Sequence, residues 1–253
     1  AAGAAPAELE AACAAAFKEL HAEAQGPKFE QSGATCTVVA VNMETAAITC
    51  ANVGDSQAFL VEEEGDLVEE LTVMHRFDSQ SERERAVRNG AHLGQATHPA
   101  TKRPYGPLRA WPGGLAMART LGDCAAHPII SAEPETRQVY VPRGCAARLI
   151  IASDGLWDGL SAKAAAKLVR AKPATIAAPA LCQAAKKARG LRDDITVVVI
   201  DVLPGGAGET GAHSSPFAGG RGRPWEPMVV DADRPSVAVS KALGGEPPEE
   251  AAA

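Results

Sequence analysis

The segment LIIASDGLWDGLS (149–161) is the most informative part of the chain, because an apolar strand runs directly into an acidic turn that carries Asp154 and Asp158. Asp193 lies just before a second apolar strand, ITVVVIDV (195–202), with Asp194 between them. If these strands pair antiparallel, the end of the first meets the start of the second. We therefore expect Asp154 and Asp193 to emerge together at one edge of a sheet.

Working outward from this segment, runs rich in Val, Ile and Thr predict further strands. These runs are ATCTVVAV (34–41), AAITCAN (46–52), SQAFLVE (56–62), LVEEL (67–71) and TRQVYV (136–141). Gly54-Asp55 is interpreted as the turn of a hairpin, which places Asp55 at a sheet edge as well. Helical spacing predicts helices over 6–24, 79–89 and, broken near Pro173, 161–189. Because strands and helices do not alternate regularly, the pattern favours an antiparallel α+β fold.

Two local patterns lie in the middle of the chain. Ser79-x-x-Glu82 fits a capping box at the start of the second helix. Residues 94–113 contain four prolines and three glycines. They are predicted to form a long loop, and a loop of that length inside a domain is usually functional.

Composition excludes several classes of protein. The 253 residues carry 31 acidic and 25 basic side chains, for a formal charge of −6, which argues against broad binding to nucleic acid or to anionic membranes. No apolar run approaches the roughly 18 residues of a membrane span. The six scattered cysteines indicate reduced thiols in an intracellular protein, cytoplasmic or nuclear, rather than a zinc site. A monomer is expected.

The composition changes at residue 204. Gly and Pro become frequent, so the sequence predicts a folded domain over 1–203 and a disordered tail over 204–253. The tail contains Arg-Gly-Arg-Pro (221–224), which is similar to a hook that enters the minor groove of DNA. A flexible linker is the preferred interpretation of this tail.

The aspartates indicate a metal site. Asp55, Asp154, Asp158 and Asp193 supply hard oxygen ligands without a neighbouring histidine or cysteine, which suits Mg²⁺ or Mn²⁺ rather than Zn²⁺. Two such ions that share carboxylates can activate a water for attack on phosphorus. For any one aspartate taken alone, ordinary turn chemistry is the preferred explanation.

Five segments, in this order along the chain, resemble the motifs of the metal-dependent protein phosphatase 2C family. They are ANVGDSQAF (51–59), GGLAMARTLGD (113–123), IISAEPE (129–135), LIIASDGLWDGLS (149–161) and RDDITVVVI (192–200). The resemblance covers about residues 7–203. It implies an αββα sandwich of two antiparallel sheets flanked by helices. It also implies hydrolysis of phosphoserine and phosphothreonine in protein substrates, with Mn²⁺ or Mg²⁺ as cofactor.

The resemblance also implies roles for single residues. Asp154 and Asp193 correspond to ligands of the binuclear centre, and Asp55 and Asp158 to ligands of a third, weaker metal site. Arg119 and Asp123 fall in a motif near the site. No catalytic side chain is assigned, because the family's Asp-Gly-His-Gly-Gly motif and its phosphate-binding Arg do not occur in this sequence.

These departures lead to expectations of their own. The chain begins without Met, and we expect an N-terminally incomplete domain that lacks its first strands and has little activity alone. Gln57 stands where the family usually has Arg, and Met74 where it has Asp. His75 is expected at the surface or in a flap.

Three hypotheses follow from the sequence. The first is a serine/threonine phosphatase of which this chain is an incomplete copy. The second is a pseudophosphatase that binds phosphoproteins without hydrolysing them. The third is a nucleic-acid tether formed by the tail.

Overall fold

A computed structural model describes residues 6–26, 29, 32–42, 45–62, 67–142, 145–190, 193–203 and 228–229. The helices in these ranges are α1 (Pro6–Ala24), α2 (Gln80–Arg88), α3 (Asp154–Trp157), α4 (Ala162–Val169) and α5 (Ala174–Arg189). The strands up to the middle of the chain are β1 (Gly33–Ala34), β2 (Cys36–Val41), β3 (Ala47–Val53), β4 (Gln57–Glu62), β5 (Val68–Glu70) and β6 (His92–Thr97). The later strands are β7 (Pro104–Trp111), β8 (Leu121–Gly122), β9 (Glu135–Tyr140), β10 (Ala147–Ala152), β11 (Val197–Val202) and β12 (Met228–Val229).

Two antiparallel four-stranded sheets form the body of the protein. One has the strand order β11-β10-β4-β5 and the other the order β12-β9-β3-β2. Side chains alternate between the two faces of each strand. Ile48 and Cys50 of β3 therefore meet Leu60 of β4 and Leu149 of β10 in the apolar layer between the sheets.

Helices cover both outer faces of this sandwich. Phe17 of α1 packs on Ala51 and Val53, which occupy the other face of β3. On the opposite side, helices α3, α4 and α5 pack on Val61 and Ile150 of the other sheet. The four layers confirm the expected α+β sandwich, with small and β-branched side chains filling its core.

The predicted hairpin between residues 46 and 62 is wrong. β3 and β4 lie in different sheets, so residues 54–56 carry the chain from one sheet to the other. Asp55 therefore sits at a crossover rather than at a hairpin tip. The same Gly-Asp turn chemistry serves either connection, and both strands are buried on both faces, so their local pattern does not distinguish the two.

The predicted loop over 94–113 is also wrong over most of its length. β6 and β7 form an antiparallel hairpin in which Gln95 pairs with Leu108 and Ala96 with Tyr105, across a bulge. Pro104 is the first residue of β7, and Pro107 falls in the bulge. Both positions tolerate proline, because neither needs a ladder hydrogen bond from its nitrogen. The prolines therefore do not disrupt the strands.

The capping box at α2 does not form. Ser79 precedes the helix, but its side chain makes no capping hydrogen bond to the backbone. Glu82, the expected partner, is instead buried and paired with Arg85 and Arg119. Two charged partners at short range outcompete a backbone amide for this carboxylate.

None of the helices within the described ranges has the length and apolar character needed to cross a membrane. The six cysteines all lie in the described ranges, and none of them forms a disulfide there. Most of the tail, including the Arg-Gly-Arg-Pro sequence, lies outside the described residues. Its Met228 and Val229 pair with Tyr140 and Val139 of β9.

Candidate metal centre

Strand pairing brings the segments of Asp154 and Asp193 together. β10 and β11 pair antiparallel, with Ala152 opposite Val197, as predicted. Beyond this pair, the Ser153 hydroxyl accepts a hydrogen bond from the amide of Thr196 at 3.1 Å and donates one to the carbonyl of Asp194 at 3.2 Å. The end of one strand is thus tied to the start of the other.

Gly155 permits this close approach. A Cβ atom at Gly155 would lie 2.4 Å from the carbonyl oxygen of Asp194, a distance at which the backbone would have to move. The glycine after Asp154 is therefore required for the first turn of α3 to sit against residues 193 and 194. This is the physical reason for an Asp-Gly pair at this position.

Asp55 is held by two buried polar side chains. Asn52 donates to the carbonyls of Gly54 at 3.2 Å and Val73 at 3.0 Å, which joins the crossover to the segment before His75. The amide of Gly54 donates to Nδ1 of His75 at 3.2 Å, and the amide of His75 donates back to the carbonyl of Gly54 at 3.0 Å. These bonds fix the backbone on which Asp55, itself buried, is carried.

Arg76 joins the aspartates into one cluster. Its Nε donates to Asp55 Oδ2 at 2.7 Å and its Nη2 donates to Asp154 Oδ2 at 3.0 Å. Its Nη1 lies 3.8 Å from Asp158 Oδ1. One guanidinium therefore faces three carboxylates from two segments of the chain, the crossover that carries Asp55 and the α3 turn that carries Asp154 and Asp158. We name this group the aspartate cluster.

The charges of the cluster act on one another. Burial raises the pKa of Asp154, and the negative charges of Asp55 and Asp193 raise it further, against the opposing effect of Arg76. The pKa of Arg76 is raised overall, because its bonds to the carboxylates outweigh the effect of burial. Negative charge is thus in excess around Asp154, which is the condition for binding a cation.

The other two predicted ligands are more open. Asp158 lies one turn after Asp154 and pairs with Arg189 at 2.8 Å. Asp193 is exposed, and its Oδ1 accepts a hydrogen bond from the amide of Asp194 at 2.8 Å. Among the described residues, no three His, Cys, Asp or Glu side chains are already arranged to hold a metal ion together. The carboxylates of the cluster face the guanidinium of Arg76 instead.

His75 was expected at the surface, and this prediction is wrong. Its side chain is fully buried, and Nε2 lies 3.3 Å from Glu135 Oε2. Because Nδ1 accepts from Gly54, the ring of His75 donates to Glu135 through Nε2. Gln57, which stands where the family usually has Arg, donates to Glu70 at 2.8 Å.

Arg119 and Asp123 make contacts outside the aspartate cluster. Arg119 binds Glu82 through Nε at 2.8 Å and Nη2 at 2.6 Å. Asp123 accepts a hydrogen bond from the Thr120 hydroxyl at 2.7 Å, beside the pairing of β1 with β8. The contacts of both residues are those of packing and turn formation.

Sequence reasoning missed Arg76. In the sequence, Arg76 directly follows His75, in a segment where Met74 stands in place of the Asp that the family usually has. This pattern gives no partner for the arginine. The contact with Asp154 spans 78 positions of the chain. No local pattern predicts a contact of that kind.

Comparison with known proteins agrees with the geometry. The family model described as protein phosphatase 2C matches residues 4–195. The chain belongs to the protein phosphatase 2C family. A probable protein phosphatase 2C from rice (Oryza sativa subsp. japonica) is 40% identical over 190 residues, which cover 75% of this chain and 43% of that protein. The chain spans less than half the length of the curated relatives it matches.

Solved structures show the same protein phosphatase 2C fold. The serine-threonine phosphatase 2C of Toxoplasma gondii matches with a TM-score of 0.61 and 23% identity, over 78% of this chain and 68% of that one. The catalytic domain of the phosphatase PstP, in complex with two manganese ions, matches with a TM-score of 0.50 and 22% identity, over 79% of this chain and 71% of that one.

Proposed function

We propose that the chain is the metal-holding part of a protein serine/threonine phosphatase, with Asp154, Asp193, Asp55 and Asp158 as ligands of Mn²⁺ or Mg²⁺. The observation that carries the proposal is the aspartate cluster, in which three carboxylates from two segments converge on one cation, the Arg76 guanidinium. Membership of the phosphatase 2C family supports the reaction class. The names of the relatives give no support to a pseudophosphatase.

The donor set fits a hard divalent cation. All four proposed ligands are carboxylates, and Arg76 shows where a positive charge is stabilised between three of them. A bound metal pair would supply a water of lowered pKa as the nucleophile. We assign Asp154 as the central ligand, because it shares the Arg76 guanidinium with Asp55 and Asp158 and its segment is hydrogen-bonded to that of Asp193.

The chain's own residues prepare this site. Asn52 and His75 hold the crossover that carries Asp55, while Ser153 and Gly155 hold the start of α3 against residues 193 and 194. Arg76 balances part of the negative charge, so the folded chain keeps three carboxylates close together without unfolding. The expected substrates are phosphorylated proteins.

Calorimetric titration of the 253-residue chain with Mn²⁺ tests the ligand assignment. Asp154→Asn should weaken binding by more than about 100-fold, since even outer-sphere changes at metal sites cost about 10–100-fold. Asp193→Asn should cost less, and Asp55→Asn and Asp158→Asn should leave tight binding measurable. Asp78→Asn, the same change at an exposed aspartate, is the control. Unchanged Mn²⁺ affinity in Asp154→Asn would show that the assignment is wrong.

Phosphate release from a phosphothreonine peptide tests the reaction. Release by this chain is expected to be slow, because the sequence lacks the histidine motif, but it should require Mn²⁺ and disappear in Asp154→Asn. Tight phosphopeptide binding with no release above that variant would favour the pseudophosphatase instead.

A further inference from the structure

One stretch of the chain carries basic residues and no acidic residues. Between Glu84 and Asp123 the sequence contains no acidic residue, although the whole protein has a formal charge of −6. The same stretch holds six basic residues, namely Arg85, Arg88, Lys102, Arg103, Arg109 and Arg119. Its centre is the hairpin of β6 and β7.

The hairpin has two chemically different faces. Leu93, Leu108 and Ala110 point inward and pack in a cluster with Phe77. Residues that alternate with them lie on the opposite face, where Gly94 pairs with Arg109, and His92 pairs with exposed Trp111. One face is therefore built into the protein and the other faces solvent.

Several basic residues of the hairpin have no carboxylate partner among the residues that the structure describes. Arg85 and Arg119 form ion pairs within the protein, because both bind Glu82. In contrast, Lys102 and Arg103 are exposed at the end of the hairpin, and neither forms an ion pair with any residue that the structure describes. Arg109 donates to the carbonyl of Gly114 at 2.7 Å, and its charge likewise has no carboxylate partner in the described part of the chain.

Aromatic side chains accompany these charges. Trp111 and Tyr105 are 47% and 51% exposed, respectively. The Trp111 ring is held against Gly114, where an added Cβ would lie 2.8 Å from it. The Tyr105 ring contacts His98, with the ring centres 5.7 Å apart. Large apolar side chains held in place at the surface suit contact with another chain. We name Lys102, Arg103, Tyr105, Arg109 and Trp111 the basic hairpin face.

The hairpin is anchored by residues next to Arg76 of the aspartate cluster. Phe77, which anchors its inner face, follows Arg76 directly in the chain. The backbone of Arg76 also forms a β-bridge with Met117, a few residues after β7. The hairpin and the aspartate cluster are therefore joined through residues 76–77 and Met117.

We propose that the basic hairpin face binds acidic residues that flank the phosphorylated residue of a protein substrate. That the acidic segment belongs to a substrate rests on the proposed phosphatase function. That the hairpin binds an acidic segment rests only on its charges and exposed rings. Uncompensated Lys and Arg side chains attract carboxylates, and the two aromatic rings provide contact area beside them. In the metal-free chain the aspartate cluster would repel the same acidic segment, which confines the segment to the hairpin.

Fluorescence anisotropy with two labelled, unphosphorylated peptides tests this proposal. One peptide carries four glutamates and the other carries glutamines at the same positions. At low salt the Glu peptide should bind about tenfold more tightly, and the preference should shrink as ionic strength rises. The double variant Lys102→Glu/Arg103→Glu should lose the preference. Lys163→Glu/Lys167→Glu, the same charge change at exposed sites on α4, should keep it.

Equal binding of the two peptides to the unmodified protein would overturn the proposal. Equal loss of the preference in both double variants would overturn it too, because net charge alone would then explain the effect. Mn²⁺ calorimetry on the same proteins separates this inference from the proposed function, since the hairpin variant should bind Mn²⁺ normally. A preserved Glu preference in a chain that binds no metal would contradict the phosphatase assignment and leave the acidic-segment site standing.

Discussion

The aspartate cluster and the arrangement around Glu82 contain the same chemical groups in opposite proportions. In the first, one guanidinium, Arg76, faces three carboxylates. In the second, one carboxylate, Glu82, binds two guanidiniums, those of Arg85 and Arg119. Further donors of these two arginines bind the carbonyls of Ala118, Ile129 and Glu133.

The pKa values respond in opposite directions. Burial, together with neighbouring negative charge, raises the pKa of Asp154. Burial also raises the pKa of Glu82, but the hydrogen bonds from Arg119 and Arg85 outweigh it, so the net pKa lies below the ordinary value. A fully satisfied ionic group stabilises the fold, whereas an excess of one charge is tolerated only where a ligand can balance it. The predictions below test this contrast.

The largest effect is expected from removing the charge of Glu82. Glu82→Gln leaves Arg85 with no carboxylate partner among the described residues and Arg119 with only the more distant Glu135, at 3.8 Å. Breaking a buried ion pair from one side costs about 3 kcal/mol of unfolding free energy. Urea unfolding measures the loss. Glu84→Gln on the exposed side of α2 is the control, and it should change the stability by less than about 0.5 kcal/mol. Equal unfolding free energies of Glu82→Gln and Glu84→Gln would show that the ion pairs of Glu82 do not stabilise the fold.

The pH dependence of the same variant should follow from the lowered pKa of Glu82. The folded state binds this proton less tightly than the unfolded state does, so the contribution is complete above the ordinary glutamate pKa of about 4.3. It is lost as the pH falls through the lower pKa of the folded state. The stability difference between the original protein and Glu82→Gln should therefore shrink on acidification below about pH 4. A difference that grows in acid would show that the sign is wrong.

A smaller effect is expected at Arg76, which competes with a metal for the same carboxylates. Arg76→Gln should increase Mn²⁺ affinity by about tenfold, the equivalent of one ion pair of about 1.4 kcal/mol. The metal-free variant should be less stable, since three carboxylates then face one another without a cation. Arg83→Gln, a change at an arginine that binds only backbone carbonyls, is the calorimetric control. Weaker Mn²⁺ binding in Arg76→Gln would mean that Arg76 supports the metal site rather than competing for it.

The smallest effect is expected from Asp154→Asn in the absence of metal. The substitution removes a charge from the side of the cluster where negative charge is in excess. The metal-free unfolding free energy should therefore stay within about 0.5 kcal/mol of the original or rise. Thermal unfolding with a chelator present measures it. A loss comparable to that of Glu82→Gln would show that Asp154 is a structural ion pair like Glu82.

Sequence determined much of the body of this protein by itself. The strands were predictable because β-branched runs bounded by glycine and aspartate have few alternative structures, and β9, β10 and β11 appear where such runs occur. Given the antiparallel pairing of β10 with β11, the shared edge of Asp154 and Asp193 followed from the positions of the aspartates in the sequence. The ordered motifs identified the family, which the comparison confirmed.

Tertiary structure alone decided which strands share a sheet and which charges meet. Local chemistry at Gly54-Asp55 is the same for a hairpin and for a crossover, and only packing on the second sheet selects the crossover. Prolines in β7 are compatible with a strand only because they fall at its first residue and in a bulge. Arg76 reaches Asp154 across 78 positions, and Arg119 reaches Glu82 across 37. Contacts between such distant residues depend on the whole fold, since no local periodicity encodes them.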